Sequence, residues 1–407
     1  FGSVGAAWLI TNESFMENTS NWLDELKFKI SYGTQGNDQL RNYYAYRNLY
    51  AITYNSTTEE FAISLSGKGN ADLTWEAQKL FNTGFEFSFL NRMIIGSIDY
   101  FSRLNSDMLF SVPMPPSAGY ASEPQNVGSV INRGVELDLR ANLINQRDIR
   151  WSVFGNITHL NNEILKLPEY SKANGGIKYS SYILKEGGTL NQVYLQKWAG
   201  VDPQTGQGLY YVDPDNGDNS TTANYADAKQ ADLGDIGVKF YGGFGTTFDA
   251  YGFDLSANFA YQLGGKAYDG SYQELMHTGK QLGRNWHLDI LNAWTPENTN
   301  TDVPRISAAD DHDQKNSSRF LVSSNYLSLN NITLGYTLPL DIANRLKINK
   351  VRVYVSGDNL ALLTARRGFD SRQSQNSIGT GVGISTTSGN FVYSQLKVIS
   401  GGLSITF

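Results

Sequence analysis

Hydrophobic and polar residues alternate with a period of two along much of the chain. Leu137 and Leu139, for example, alternate with Glu136 and Asp138, and Leu255 follows the same rule. This period is typical of β-strands that are buried on one face. It predicts about eleven strands and few helices. The segments are 3–10, 26–32, 81–89, 94–103, 135–143, 150–160, 239–248, 251–261, 326–338, 351–360 and 391–407.

The connections between these segments alternate between short and long. The short ones are 90–93, 144–149, 249–252 and 339–350, and the long ones are 104–134, 161–238, 264–325 and 361–390. In an up-and-down sheet every second connection lies at the same edge, so the tight turns share one rim and the long loops share the other. Outer-membrane barrels have this arrangement. The pattern therefore predicts an all-β fold, a transmembrane up-and-down antiparallel β-barrel.

A soluble propeller or sandwich is the alternative fold, because it also has alternating strands and glycine-rich turns. No repeat of blade length is visible in the sequence, however. The long connections also exceed those of a compact sandwich. Both observations favour the barrel.

Composition narrows the classes of function. The 407 residues carry a net charge of -6, which argues against a nucleic-acid partner, and they include no cysteine, which excludes disulfides and thiolate metal sites. No stretch approaches the roughly 18 unbroken apolar residues of a membrane helix, but strands of a barrel do not need one.

Catalytic and metal-binding motifs find little support. The four histidines, at 159, 277, 287 and 312, form no HExxH pair, and neither a GxSxG elbow nor a phosphate loop occurs. The segment VDPDNGDN contains the acidic residues of a calcium loop, but Gly217 stands at the wrong position and no glutamate closes the loop. The run 310–313 (DDHD) is interpreted as solvated acids. We predict no enzyme, no cofactor and no metal site.

Aromatic residues in the long loops have two interpretations. Their rings could stack on sugars, or they could form interfacial girdles or pack within the loops, and the second interpretation is favoured for any single residue. These residues are Trp198, Trp286, Trp294, Tyr268 and Tyr272. Arg366, Arg367 and Asp370 follow a rising strand and are expected at the outer rim, where they line a substrate cavity or face water. The predicted substrate-binding set is Trp286, Arg366, Arg367 and Asp370.

Several segments resemble the SusC-like (SusC/RagA) family of TonB-dependent outer-membrane transporters of the Bacteroidota. They are LKFKISYGTQGN (26–37), the stretch 71–109, NVGSVINRGVELDL (126–139), AGVDPQTGQGLYY (199–211), NAWTPENTNTDVPR (292–305) and YVSGDNL (354–360). The resemblance implies a barrel of about 22 strands, of which residues 1–407 form the C-terminal half. It also implies that the N-terminal plug, the TonB-binding segment and the first strands lie outside this sequence.

The last residues carry a separate signal. Ser400, Gly402, Ile405 and Phe407 fit the pattern of a polar residue, a glycine, an apolar residue and a final aromatic residue. This resembles the C-terminal signal that the barrel-assembly machinery recognises in outer-membrane proteins. We therefore expect that machinery as a partner during biogenesis.

The resemblance implies a multi-pass protein of the outer membrane that imports an oligomeric nutrient, with an oligosaccharide ahead of an oligopeptide. It implies a SusD-like surface lipoprotein as a lid and TonB as a partner through the plug. The alternative function is a passive outer-membrane channel or a barrel enzyme. Because open sheet edges are not viable in hydrocarbon, we also expect the first and last strands to pair with sequence outside residues 1–407.

Overall fold

The structure is a computed structural model. It describes residues 1–38, 43–120, 122–179, 181–279, 283–309, 314–345, 347–365, 368–374 and 394–407. The chain divides into two compact units. The first comprises Phe1–Gln146, Arg150–Ile177 and Leu184–Thr189, and the second comprises Arg147–Ile149, Lys178–Ile183 and Leu190–Phe407.

The first unit is built from long antiparallel strands with two hairpins between them. In chain order its strands are β1 (Ser3–Leu9), β2 (Leu23–Asn37), β3 (Leu49–Asn55), β4 (Glu60–Gly67), β5 (Glu76–Phe89), β6 (Ile94–Ser106), β7 (Leu109–Pro113), β8 (Ser122–Asn126), β9 (Ser129–Asn145) and β10 (Ile149–Lys166). Helix α1 (Glu169–Ala173) follows, and 3-10 helices span Ile10–Asn12, Ser14–Thr19 and Pro116–Ala118. The sheet order is β1-β2-β5-β6-β9-β10, while β3 pairs with β4 and β7 with β8.

The second unit combines long strands with a folded loop region. Two short strands, β11 (Ile177–Lys178) and β12 (Ile183–Leu184), each contribute one residue to it. Its strands are β13 (Gln192–Gln196), β14 (Trp198–Val201), β15 (Gly208–Asp213), β16 (Asp218–Thr222), β17 (Gln230–Asp235), β18 (Phe240–Ala250), β19 (Phe253–Leu263), β20 (Lys266–Tyr268), β21 (Leu321–Ser323), β22 (Tyr326–Thr337), β23 (Lys350–Thr364) and β24 (Val398–Thr406). The long strands follow the order β18-β19-β22-β23-β24.

Helices contribute little to the second unit. Those within the described residues are α2 (Gly270–Leu275), α3 (Leu340–Arg345) and α4 (Ser371–Ser374), with 3-10 helices at Pro214–Asn216, Tyr225–Asp227, Leu288–Asn292 and Ser318–Phe320. Among the described residues, no helix has the length and apolar character needed to cross a membrane.

The long antiparallel strands among the described residues number eleven, six in the first unit and five in the second. This confirms the all-β prediction and the predicted strand count. Several strands run longer than the alternation indicates, notably β2 and β5. The last strand occupies Val398–Thr406 within the predicted segment 391–407, of which 391–393 lie outside the described residues.

The predicted alternation of short and long connections is present, and it extends to two connections that the prediction did not include, a short one between β1 and β2 and a long one between β2 and β5. The long connection between β2 and β5 contains the hairpin β3–β4, whose strands are not among the predicted segments. Its signal was available, because LYAITYN and EFAISLSG both alternate with a period of two. With this connection included, five long connections join the described long strands, rather than the four predicted.

Local backbone chemistry explains where the tight turns form. Between β18 and β19, Tyr251 and Gly252 have φ angles of 51° and 90°, the two consecutive positive values that a type I′ hairpin turn needs. Between β5 and β6, Leu90, Asn91 and Arg92 all have φ between 57° and 59°. The Arg92 amide donates to the Asp24 carboxylate at 2.8 Å, a hydrogen bond that holds this left-handed turn.

Candidate functional site

One face of the first unit's sheet is polar and carries a network of charged side chains. Lys27 and Lys29 project from β2, Glu86 from β5 and Asp99 from β6, because the register places them on one side. The Lys27 ammonium lies 3.1 Å from Glu86, and the Lys29 ammonium lies 2.8 Å from Glu86 and 3.3 Å from Asp99. These side chains are between 31% and 38% exposed, so they form a polar lining rather than a core.

A glycine lets the charges approach each other across β5. Gly84 stands between Lys29 and Asp99 in the cross-strand register. A Cβ at this position would lie 2.2 Å from the Asp99 carboxylate oxygen. The ion pair between Lys29 and Asp99 therefore depends on the absence of a side chain at Gly84.

The opposite face of the same strands is apolar. One cross-strand row is entirely hydrophobic and consists of Trp8, Phe28, Phe85, Ile98, Leu137 and Ile157. Ile98 is 43% exposed, far more than a core residue of a soluble domain. A sheet with an exposed apolar face and a charged opposite face matches the wall of a membrane barrel.

The register confirms that the alternating acidic and apolar residues lie on opposite faces. Glu136 pairs with Asp99 on the polar face, whereas Leu137 pairs with Ile98 on the apolar face. In the second unit, Leu255 and Phe259 lie opposite Phe248 and Phe244, while Asp254 and Asn258 face the other side.

The apolar face has aromatic and polar borders. At the tight-turn end, Trp22 stacks on Phe89 with ring centroids 5.8 Å apart. At the other end of the strands, near the long connections, the apolar residues of β9 begin at Val135. The preceding residue on that face is Arg133, which forms a 2.8 Å ion pair with Glu163. Amphipathic rings and charges at the two ends of an apolar band are typical of membrane interfaces.

The loops of the second unit fold around a core of their own. Its buried residues are Val193, Leu195, Ile236, Tyr268, Met276, Ala293, Val303 and Phe320, and we call them the loop core. They come from the two longest predicted loops, 161–238 and 264–325. Phe320 is fully buried and contacts the rings of Tyr268 and Tyr272 edge-on, at 6.1 Å and 6.3 Å. The long loops therefore form a folded structure rather than separate flexible segments.

Most of the aromatic candidates for sugar stacking are engaged in this loop structure. Tyr268 belongs to the loop core, and the Tyr272 hydroxyl donates to Asp289 at 2.9 Å. Trp198 meets Tyr210 edge-on at 5.2 Å. The Trp294 indole donates to the Pro203 carbonyl at 3.1 Å. These contacts favour the loop-packing interpretation over sugar stacking.

Trp286 is held on one side and half-exposed on the other. Its ring stacks on the buried His277 imidazole at 5.1 Å, and its indole N–H donates to the His277 carbonyl at 2.8 Å. The side chain is nevertheless 43% exposed. Its part in substrate binding stays a prediction.

The remaining predicted substrate residues are placed only in part. Asp370 is buried and pairs with Arg372 through two hydrogen bonds, Nε to Oδ1 at 2.9 Å and Nη2 to Oδ2 at 2.8 Å. Arg366 and Arg367 lie outside the described residues, as does the acidic run 310–313. The substrate role of these residues also stays a prediction.

The acidic loop of VDPDNGDN is closed by protein groups. Hydrogen bonds from the Lys229 ammonium, at 2.6 Å, and the Asn216 amide, at 2.9 Å, hold the pKa of the Asp213 carboxyl below its usual range. The Asp215 carboxylate accepts the Asp232 amide at 3.1 Å. Within the described residues, no group of three or more histidine, aspartate or glutamate side chains is arranged to hold a metal ion.

The C-terminal pattern lies on and just beyond β24. Ser400 and Gly402 pair with Ser356 and Tyr354 of β23 on the polar face, while Ile405 pairs with Val351 on the other. Phe407 follows the strand and is 84% exposed. Recognition of these residues by the assembly machinery stays a prediction.

Tyr225 gives a prediction for the response of the loop structure to alkali. Its hydroxyl lies 2.8 Å from both the Gln196 side-chain oxygen and the Asn316 carbonyl oxygen, within donor distance of either, and burial raises its pKa to about 12. Because the folded state favours the protonated phenol, its stabilising contribution is complete below the unfolded pKa of 10.0 and is lost as the pH rises toward about 12.

We expect absorbance at 295 nm to show a late tyrosine titration near pH 12 that coincides with increased protease cleavage in the loops. Tyr225→Phe should remove the late step contributed by this residue. A titration that is complete before cleavage begins would contradict the coupling.

Comparison with known proteins identifies the family of this sheet. A family model described as the β-barrel of TonB-dependent receptor-like proteins matches residues 1–269. The chain belongs to this family. The barrel family resides in the outer membrane, which confirms the predicted location and assigns the apolar face to lipid and the polar face to the lumen.

Curated relatives place the chain among the SusC-like members, as predicted. TonB-dependent receptor P3 of Formosa agariphila is 29% identical over 397 residues, covering 91% of this chain and 38% of that receptor. TonB-dependent receptor SusC of Bacteroides thetaiotaomicron is 27% identical over 394 residues, covering 91% of this chain and 37% of SusC. The chain thus spans about two-fifths of the length of these relatives.

Solved structures agree with this assignment. The RagAB peptide transporter is 31% identical with a TM-score of 0.78, covering 100% of this chain and 43% of the other. The RagAB peptide importer in its open-open state is 31% identical with a TM-score of 0.79, covering 100% and 42%. The family is one of transporters and receptors, which confirms that the chain is not an enzyme.

Proposed function

We propose that this chain forms the wall and outer loops of a transporter that imports an oligomeric nutrient across the outer membrane. The observation that carries the proposal is the match of the whole chain to a solved peptide importer at 31% identity. The polar lining built from Lys27, Lys29, Glu86 and Asp99 supports it, since a luminal wall must stay hydrated.

For the substrate, an oligopeptide is now favoured over the oligosaccharide expected from sequence. All five loop aromatics considered for sugar stacking have ring or hydrogen-bond partners within the loops, and only Trp286 among them is more than about two-fifths exposed. The structural relatives named above are described as a peptide transporter and a peptide importer. A luminal wall with both lysines and carboxylates suits zwitterionic, mixed-charge peptides better than neutral glycans.

The test is uptake by cells that carry the full-length transporter. Fluorescent peptides of mixed charge should accumulate, and accumulation should stop when the proton gradient is collapsed, because TonB coupling draws on that gradient. Maltooligosaccharides are the matched competitor. Uptake of these glycans without peptides would reverse the substrate proposal, and uptake that survives loss of the gradient would indicate a passive channel.

The hairpin β3–β4 supports a protein partner at the long-loop rim. Three cross-strand pairs form one apolar face, namely Tyr50 with Leu65, Ile52 with Ile63 and Tyr54 with Phe61. Ile52 and Ile63 are 69% and 71% exposed. An exposed apolar patch of this kind marks a contact surface, and we assign it to the SusD-like lid lipoprotein.

Charging this face should weaken the lid complex. Replacing Ile52 and Ile63 together with aspartate is expected to lower lid binding about tenfold or more, because two buried contacts would be lost. Co-purification of the lid with the full-length transporter measures the effect. The control replaces Thr53 and Ala62, the pair on the other face of the hairpin, with aspartate. Equal loss in the control, or no loss in either variant, would contradict the assignment.

A further inference from the structure

One cross-strand row on the polar face of the second unit alternates side chains with glycines. Asp254 of β19 pairs with Gly335 of β22, Gly335 pairs with Tyr354 of β23, and Tyr354 pairs with Gly402 of β24. The two glycines therefore stand beside the two large side chains. Gly402 is also the glycine of the C-terminal pattern.

The ring of Tyr354 occupies the space over Gly402. A Cβ on Gly402 would lie 2.3 Å from the ring carbon Cζ and 2.5 Å from the hydroxyl oxygen. Such distances do not occur between real atoms, so any side chain at this position would force the ring away. The contact joins the last strand to its neighbour through one side chain.

An ion pair holds the ring from the other side. The Arg352 guanidinium lies 4.9 Å from the centre of the Tyr354 ring, a cation-π distance. Its Nε donates to Asp254 Oδ1 at 2.9 Å, and its Nη2 donates to Oδ2. A Cβ on Gly335 would lie 2.5 Å from Arg352 Nη2. Arg352 therefore reaches Asp254, two strands away, across a glycine.

The position of Gly402 is specific to one register of β24. The residues of β24 on this face are Val398, Ser400, Gly402, Ser404 and Thr406, and all except Gly402 carry a Cβ. A shift by two residues would bring Ser400 or Ser404 beneath the ring. A shift by one residue would turn Ile399, Leu403 and Ile405 to the polar face. Only the observed register accommodates both the ring and the face pattern.

We propose that Tyr354 and Gly402 form a register lock for the C-terminal strand, with the Arg352–Asp254 pair holding the ring in place. The lock gives Gly402 a structural role that is separate from recognition by the assembly machinery. It rests on the outer-membrane barrel and is independent of the substrate and lid proposals.

The test compares three variants of the full-length transporter, Gly402→Ala, Tyr354→Ala and the double variant. Gly402→Ala should lower the folded fraction at a given urea concentration about tenfold, because it overpacks the contact. In the Tyr354→Ala background the same change should have little further effect, since the clash is gone. An equal loss in both backgrounds would overturn the lock.

Gly401→Ala is the matched control for the effect of adding any side chain to this strand. Gly401 is the adjacent glycine on the apolar face, where a Cβ would meet only the Tyr354 carbonyl oxygen, at 3.8 Å. We expect a change of less than about twofold, as for a substitution that fits. Damage equal to that of Gly402→Ala would show that strand glycines matter generally and would overturn the lock.

Two further measurements separate the lock from recognition in the cell. Refolding from urea into lipid vesicles lacks the assembly machinery, so a Gly402→Ala defect seen only in cells would overturn the lock. Register can be read with Ser356→Cys and Ser400→Cys, which pair directly, and residues 1–407 contain no other cysteine. Gly402→Ala should reduce the disulfide yield of this pair, and an unchanged yield would overturn the lock.

Discussion

Replacing Leu137 with arginine should lower the free energy of unfolding of the membrane-inserted sheet by about 2 to 4 kcal/mol. Leu137 lies in the middle of the apolar row, between Ile98 and Ile157 on the neighbouring strands. An arginine there would place its charge in hydrocarbon without water or a counter-charge. Urea unfolding of the full-length protein in lipid vesicles, followed by the heat-modifiable band on gels, measures the loss.

Glu136→Arg is the matched control, because it introduces the same side chain one residue away on the opposite face. Glu136 faces the lumen directly across from Asp99, so an arginine would meet a carboxylate there. We expect a change of less than about 1 kcal/mol, typical of an exposed ion pair. Similar losses in both variants would show that the faces are assigned wrongly.

The alternation that predicts these faces is a property of neighbouring residues. Most strands of the sheet could therefore be predicted from the sequence. In the segment from Val135 to Leu143, the polarity of each residue predicts which face of the sheet its side chain lies on. The tight turns then set the register between neighbouring strands. The Tyr251–Gly252 turn was predictable on the same grounds, since glycine supplies one of the two positive φ angles. The presence of each strand, and the face on which each of its side chains lies, could therefore be predicted without knowledge of long-range contacts.

The loop core could not be predicted in the same way. Val193 and Phe320 are far apart in sequence, and nothing in the segments around them indicates that they pack together. A buried loop tyrosine such as Tyr268 and an exposed one have the same local signature, so stacking and packing remained open alternatives. Long-range contacts decide between them.

The pairing of Tyr354 with Gly402 is a second example of this limit. Tyr354 lies in YVSGDNL, a segment that resembles the SusC-like family, and Gly402 belongs to the C-terminal assembly pattern. Neither observation indicates that the two residues are in contact. Their contact depends on the register between β23 and β24, which the alternation fixes only to within steps of two residues. The close approach at Gly402 becomes evident only when that register is known.

Phe320→Ala should destabilise the loop core by about 3 to 5 kcal/mol while leaving the barrel intact. The side chain is fully buried and contacts Tyr268 and Tyr272, so its removal leaves a cavity beside these two rings. Limited proteolysis of outer-membrane vesicles should show faster cleavage within 190–325. The heat-modifiable band should stay unchanged, because local stability differs between regions of one protein.

Leu288→Ala provides the control within the same loops, since Leu288 is 79% exposed and its truncation leaves no cavity. Its cleavage pattern should match that of the parent protein.

The same two variants test whether the folded loops bind substrate. If they do, Phe320→Ala should lose peptide uptake together with protease resistance, because the loop core positions Trp286 through α2 and the residues that follow it. Normal uptake by a variant with cleaved loops would restrict substrate binding to the wall and to residues outside the loop core.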